Sequence, residues 1–192
     1  AINRYPGERV NDLRHALAAH AGMPEGFDIM LGNGSDELIS LLALACDVPS
    51  ASGQPASILA PVPGFVMYAM SAQLQGLAFH GVPLTADFEL DETAMLAAIR
   101  QHNPAIVYLA YPNNPTATLW SEESVQAVID AVGEQGGFVV MDEAYQPFAS
   151  RSWLSRMQAE PERNGHVLLM RTLSKFGLAG VRLGYLIGPE AI

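Results

Sequence analysis

The stretch AIVYLAYPNNPTATLWSEESVQAVIDAVGEQGGFVVMDEAY, residues 105–145, decides the fold. It opens with an apolar run at 105–111, passes through a helical pattern at 121–135, and returns to an apolar run at 137–141. Runs such as Ile106-Val107-Tyr108-Leu109 and Phe138-Val139-Val140-Met141 do not alternate with polar residues, which suits strands covered on both faces. Strand, helix and strand in that order make a β-α-β unit, the building block of a parallel sheet.

Working outward, the same rhythm repeats. Towards the N-terminus, residues 92–102 read as a helix capped by Asp91 and stopped by Asn103-Pro104. Before it come strands at 76–82 and 57–60, with a helix at 64–75 after the punctuation of Pro61 and Pro63. A helix at 36–45 follows a short strand at 29–31. A first helix at 10–23 places Leu13, Leu17 and Ala21 on one face and closes on Gly22. Towards the C-terminus, 167–171 and 182–187 complete the strands. No linker or repeat interrupts the pattern, so the chain is expected to be one α/β domain, a mainly parallel sheet flanked by helices in a three-layer sandwich.

Composition narrows the function classes. Ten Lys and Arg against twenty Asp and Glu give a net charge of -10, a surface that repels phosphate backbones and disfavours nucleic-acid binding. The single cysteine, Cys46, excludes an internal disulfide and a thiolate zinc cluster, and its apolar setting suits a buried structural thiol. His15, His20, His80, His102 and His166 lack metal-ligand spacing, so no metal is expected. No apolar run reaches the roughly 18–20 residues of a membrane span, and no signal segment opens the chain. A soluble cytoplasmic protein is the expectation. The chain opens without Met and ends just after a strand, so both ends are expected to be cut from a longer protein.

In open α/β sheets, ligands sit beyond the carboxyl ends of the strands, and four polar clusters fall there. Gly32-Asn33-Gly34-Ser35-Asp36 joins a strand to a helix, where glycines allow close approach and free N–H groups suit a phosphate. A plain turn with a Ser N-cap reads the same way. Tyr111-Pro112-Asn113-Asn114-Pro115-Thr116 follows the 105–110 strand, and its prolines stiffen the frame that presents Asn114; an ordinary turn is the alternative. Asp142-Glu143-Ala144-Tyr145 follows the next strand, where a buried carboxylate needs a cation unless Asp142 is a helix N-cap. Arg171-Thr172-Leu173-Ser174-Lys175, with Gly177, Gly180 and Arg182 beyond it, sets a lysine among hydroxyls and glycines.

Together the clusters meet the needs of a pyridoxal phosphate site: an amine, a carboxylate for the pyridinium nitrogen, donors for the ring oxygen and an anion cradle. At this point the sequence resembles the fold-type-I aminotransferases, and within them the histidinol-phosphate branch. The resemblance rests on Asn3-Arg4-Tyr5-Pro6 and on residues 32–37, 63–68, 112–116, 142–145 and 172–185.

The resemblance implies transamination between histidinol phosphate and 2-oxoglutarate in histidine biosynthesis, by a homodimer. It implies catalytic roles for Lys175, Asp142 and Tyr145. Lys175 would hold the cofactor as a Schiff base and move the substrate proton. Asp142 would pair with the pyridinium, which should lower its pKa. Asn114 and Tyr145 would bond the ring oxygen, and Phe65 would stack on the ring. Gly34, Ser35, Thr172, Ser174 and Arg182 would hold the phosphate, with Asp36 among the cofactor-binding residues of the same turn. Tyr5 would reach the partner subunit's cofactor. Residues 1–192 would then be the cofactor-binding large domain, without the N-terminal arm or the small domain that supplies the substrate-carboxylate arginine.

One departure stands out: Ala117 occupies the position of a family glycine, and a positive φ there would cost on the order of 1 kcal/mol. Alternatives are an aromatic or aspartate-type aminotransferase, a phosphothreonine decarboxylase-like lyase, and an inactive cofactor-binding remnant. A dinucleotide-binding domain is disfavoured, because position 37 is Glu where the third glycine would stand.

Overall fold

A computed structural model describes residues 9–48 and 53–192 of the chain. The apolar runs form seven strands: β1 (Phe27–Gly32), β2 (Ser57–Val62), β3 (Ala78–Pro83), β4 (Ile106–Ala110), β5 (Phe138–Asp142), β6 (Val167–Thr172) and β7 (Gly184–Pro189). They make one sheet in the order β1-β7-β6-β5-β4-β2-β3. The pairs from β3 through β2, β4 and β5 to β6 are parallel, whereas β7 runs antiparallel to both β6 and β1. The mainly parallel α/β sandwich expected from sequence is therefore present, with one reversed strand that periodicity does not reveal.

Alternation along the strands divides the core between the two faces. Val107, Leu109, Val139, Met141, Val167 and Leu169 point to one cluster, which α1 (Arg9–Ala21), α4 (Glu92–His102), α5 (Glu122–Glu134) and α6 (Leu154–Ala159) cover with residues such as Leu17, Ile99, Ile129 and Met157. Ile106, Tyr108, Val140, Leu168 and Met170 point to the other, under α2 (Ser35–Ala45) and α3 (Met67–Leu74). Asp91 caps α4 by accepting from the Ala94 N–H at 2.9 Å, as expected from sequence.

Several boundaries differ from expectation. The strand predicted from residue 182 starts at Gly184, because Arg182 closes a 3-10 turn with φ 50°. The helix predicted from Gly64 starts at Met67, after the turn that follows Pro63. α6 had no counterpart in the sequence reading; it is only six residues long. Cys46 is half-buried rather than buried, and partial burial pushes its thiol pKa up. Among the described residues no helix is long and apolar enough to cross a membrane. Topologically the chain winds from β2 outward to β3, and from β4 the other way through β5 to β6. The crevice at the carboxyl ends of β2 and β4 is thus a switch point.

Candidate active site

At that crevice lies a cavity of about 160 Å³. Its walls come from the four clusters picked out in the sequence: Ser35 and Asp36 on α2, Asn114 after β4, Asp142 and Tyr145 at the end of β5, and Thr172, Ser174, Lys175 and Arg182 after β6. Phe65, from the turn after β2, forms another wall. Of the positions expected in the site, Gly34 borders the cavity through Ser35, and Tyr5 lies outside the described residues.

The Gly34 end is built by close packing. Gly34 is the N-cap of α2 with φ 87°, so the anticipated Ser cap is not formed and Ser35 is the first helical residue. A Cβ on Gly34 would stand 2.8 Å from an Arg182 guanidinium nitrogen. A Cβ on Gly184 would stand 2.6 Å from the Gly34 carbonyl carbon. Both glycines therefore let the Arg182 turn lie against the open N-terminus of α2. Arg182 is half-exposed and only 3.4 Å from Asp36, a weak surface pair that leaves most of its donors available. Thr172 and Ser174 share a hydroxyl–hydroxyl bond of 3.0 Å beside it. Exposed N–H groups, two hydroxyls and a guanidinium around one end of a cavity make an anion cradle.

Lys175 follows β6 in a short 3-10 turn, with its side chain exposed and its ammonium 4.6 Å from the centre of the Tyr145 ring. Of the two asparagines after β4, Asn113 is spent on the loop itself. Its buried amide donates to the Pro63 carbonyl at 3.1 Å and to the Thr116 hydroxyl at 2.8 Å. Asn114 is thereby left to face the cavity. Ala117, in the same loop, has φ 60°, the left-handed backbone anticipated from the missing glycine.

Asp142 is the most demanding residue of the site. It is 5% exposed and ends a central strand, and no ion pair reaches it among the described residues. Its Oδ1 accepts from the Ala144 N–H at 3.0 Å and its Oδ2 from the Tyr68 hydroxyl at 2.6 Å. No helix starts at Ala144, which disposes of the N-cap alternative. Burial pushes the carboxyl above the ordinary carboxylate range, while the Tyr68 and Ala144 bonds pull the other way. This direction is opposite to the one expected from sequence. That expectation rested on a cation against the carboxylate, and in the protein alone burial outweighs the hydrogen bonds. Tyr68 lies in the segment 63–68, and in the sequence it reads as core, an aromatic on an apolar helix face.

An exposed lysine, a buried carboxylate without a cation and an anion cradle thus meet around one cavity on a mainly parallel α/β sheet. The profile of the aminotransferase class I and II family matches residues 1–192, and the chain belongs to that family. It is 77% identical over 192 residues to a histidinol-phosphate aminotransferase of Paracidovorax citrulli (strain AAC00-1), covering all of this chain and 52% of that protein. The crystal structure of histidinol-phosphate aminotransferase from Sinorhizobium meliloti, in complex with pyridoxal-5'-phosphate, superposes with a TM-score of 0.79 at 31% identity, over 96% of this chain and 48% of that one. The Clostridium acetobutylicum histidinol-phosphate aminotransferase shares the fold at a TM-score of 0.81 and 23% identity, over 97% and 52% of the two chains. The chain spans about half the length of the curated relatives it matches.

Proposed function

We propose that the protein is a pyridoxal phosphate-dependent aminotransferase acting on histidinol phosphate with 2-oxoglutarate as acceptor, a step of histidine biosynthesis. The observation that carries the cofactor reading is Asp142: a buried carboxylate that lines the cavity, held by two hydrogen bonds and by no ion pair among the described residues. A protonated pyridine nitrogen is the complement it lacks. The substrate rests on the relatives of that name, 77% identical over the whole chain.

When bound, pyridoxal phosphate supplies the electron sink for the pair left behind when the substrate loses its α-proton. Lys175 Nζ would hold the cofactor and is the group placed to accept and return the substrate proton. Asp142 would pair with the ring nitrogen and favour its charged form. Asn114 and Tyr145 would serve the ring oxygen, Phe65 the ring, and the Gly34–Asp36 turn with Thr172, Ser174 and Arg182 the phosphate. In this reading residues 1–192 are the cofactor-binding large domain of a cytoplasmic homodimer. Tyr5 would serve the partner's cofactor.

The test is an assay of the protein with histidinol phosphate, with and without 2-oxoglutarate. Glutamate formation that requires the keto acid is the expected result. Product release without any keto acid would replace transfer by lyase chemistry, and no reaction with histidinol phosphate would overturn the substrate.

A further inference from the structure

Tyr68 does not line the cavity but touches a residue that does. It projects from α3 and donates its hydroxyl to Asp142 Oδ2 at 2.6 Å, although the two residues are 74 positions apart. That distance falls in the range of charge-assisted O–H···O⁻ bonds. The ring has little freedom to leave. It lies parallel to Tyr108 of β4, with centroids 4.3 Å apart and planes 7° apart, and Phe65 meets its edge at 5.6 Å. Tyr68 is 2% exposed, so no water competes for the bond from the ring side. Burial and the neighbouring carboxylate push the Tyr68 hydroxyl far above its ordinary pKa, so it stays a donor throughout the physiological range.

A second phenol in the same stack provides the contrast. The Tyr108 hydroxyl is buried and has no hydrogen-bond partner among the described residues. The two rings share an environment, but only one of the two hydroxyls is spent on the carboxylate. Core packing accounts for both rings and leaves the aim of the Tyr68 hydroxyl unexplained.

We propose that Tyr68 is a positioning residue for Asp142: its hydroxyl favours the ionised carboxylate and, with the Ala144 N–H, fixes the orientation in which that carboxylate meets the cavity. The inference deepens the cofactor reading and rests on it for its functional meaning. Its physical content concerns the carboxylate alone.

Tyr68→Phe keeps the ring and removes the hydroxyl, and Tyr108→Phe does the same to the idle neighbour. In the cofactor-free protein, the carboxyl carbon of Asp142 is followed by NMR against pH, its signal assigned by loss in Asp142→Asn. Tyr68→Phe should raise the titration midpoint by about one unit, tenfold in the ionisation constant, and Tyr108→Phe should leave it in place. In the loaded protein, Tyr68→Phe should weaken pyridoxal phosphate binding by roughly tenfold and shift the pH dependence of the cofactor's absorbance. A midpoint unchanged in Tyr68→Phe, or moved equally by Tyr108→Phe, overturns the inference whether or not the cofactor binds. If the midpoint moves as expected but the wild-type protein takes up no pyridoxal phosphate, the inference about the carboxylate stands and the cofactor reading fails.

Discussion

Asp142 and Glu143 are consecutive carboxylates at the end of one strand, and the pleat sends them to opposite faces of the sheet. Both are buried, at 5% and 1% exposure. Glu143 is fully provided for. Its Oε2 accepts from Arg171 Nε at 3.0 Å, and a second Arg171 nitrogen lies 2.9 Å away. Its Oε1 accepts from the Trp153 N–H at 2.6 Å and the Ser152 hydroxyl at 2.9 Å. Burial still pushes its carboxyl pKa up, with Arg171 the main opposing influence. Asp142 has two hydrogen bonds and no ion pair among the described residues, and it faces a cavity. Two acids of similar burial thus separate into one that closes a network and one that waits for a partner. Arg182, in the cavity wall, holds left-handed backbone with φ 50°, and so does Ala117 in the Asn114 loop with φ 60°; Phe88 and Asn103 do the same away from the cavity. Such conformations persist where the surroundings over-determine them.

The sharpest way to break the comparison is to remove the paired acid. Glu143→Ala strands the Arg171 guanidinium in a buried site, and the loss of one partner of such a pair costs about 3–5 kcal/mol. Urea unfolding should therefore show a severely destabilised protein, and a loss below about 1 kcal/mol would mean that Glu143 is not the structural member. Asp142→Asn should act in the opposite direction on the cofactor-free protein. A carboxyl whose folded pKa lies above its unfolded value of about 3.9 costs stability when ionised, and that cost disappears as pH falls through the folded pKa. At pH 7 the variant should be more stable than the wild type by about 1 kcal/mol, and the gap should close towards pH 4. A less stable Asp142→Asn at pH 7 would place Asp142 beside Glu143 as a structural acid.

The smallest effect belongs to the loop that carries Asn114. Ala117→Gly relieves left-handed strain of about 1–2 kcal/mol and gives back part of it through the freer unfolded chain, leaving a gain of roughly 0.5 kcal/mol. Thermal unfolding of the two proteins side by side would detect it.

Much of this was legible in the sequence, for a physical reason. Continuous apolar runs mark buried parallel strands, and in such sheets the residues just after each run are delivered to one edge. Asn114, Asp142, Thr172 and Lys175 could be collected on that basis alone. What escaped depends on pairing in space. Arg171 and Glu143 meet because β5 and β6 run in register, with Asp142 opposite Met170, and nothing in either strand's own pattern announces the partner. Tyr68 looks like any aromatic on the buried face of α3. The reversal of β7 is equally silent, since an apolar strand reads the same in either direction. The raised Asp142 pKa could not be foreseen either, because its sign depends on whether burial or a cation prevails.

The central claim is that the cavity around Lys175 and Asp142 holds pyridoxal phosphate through the lysine amine. Borohydride reduction of the protein with pyridoxal phosphate, followed by peptide mass mapping, tests it directly, with Lys175→Ala alongside. A single pyridoxyl group on the peptide containing Lys175, absent from the variant, is the predicted result. No adduct, or one carried equally by the Lys175→Ala protein, would contradict the account.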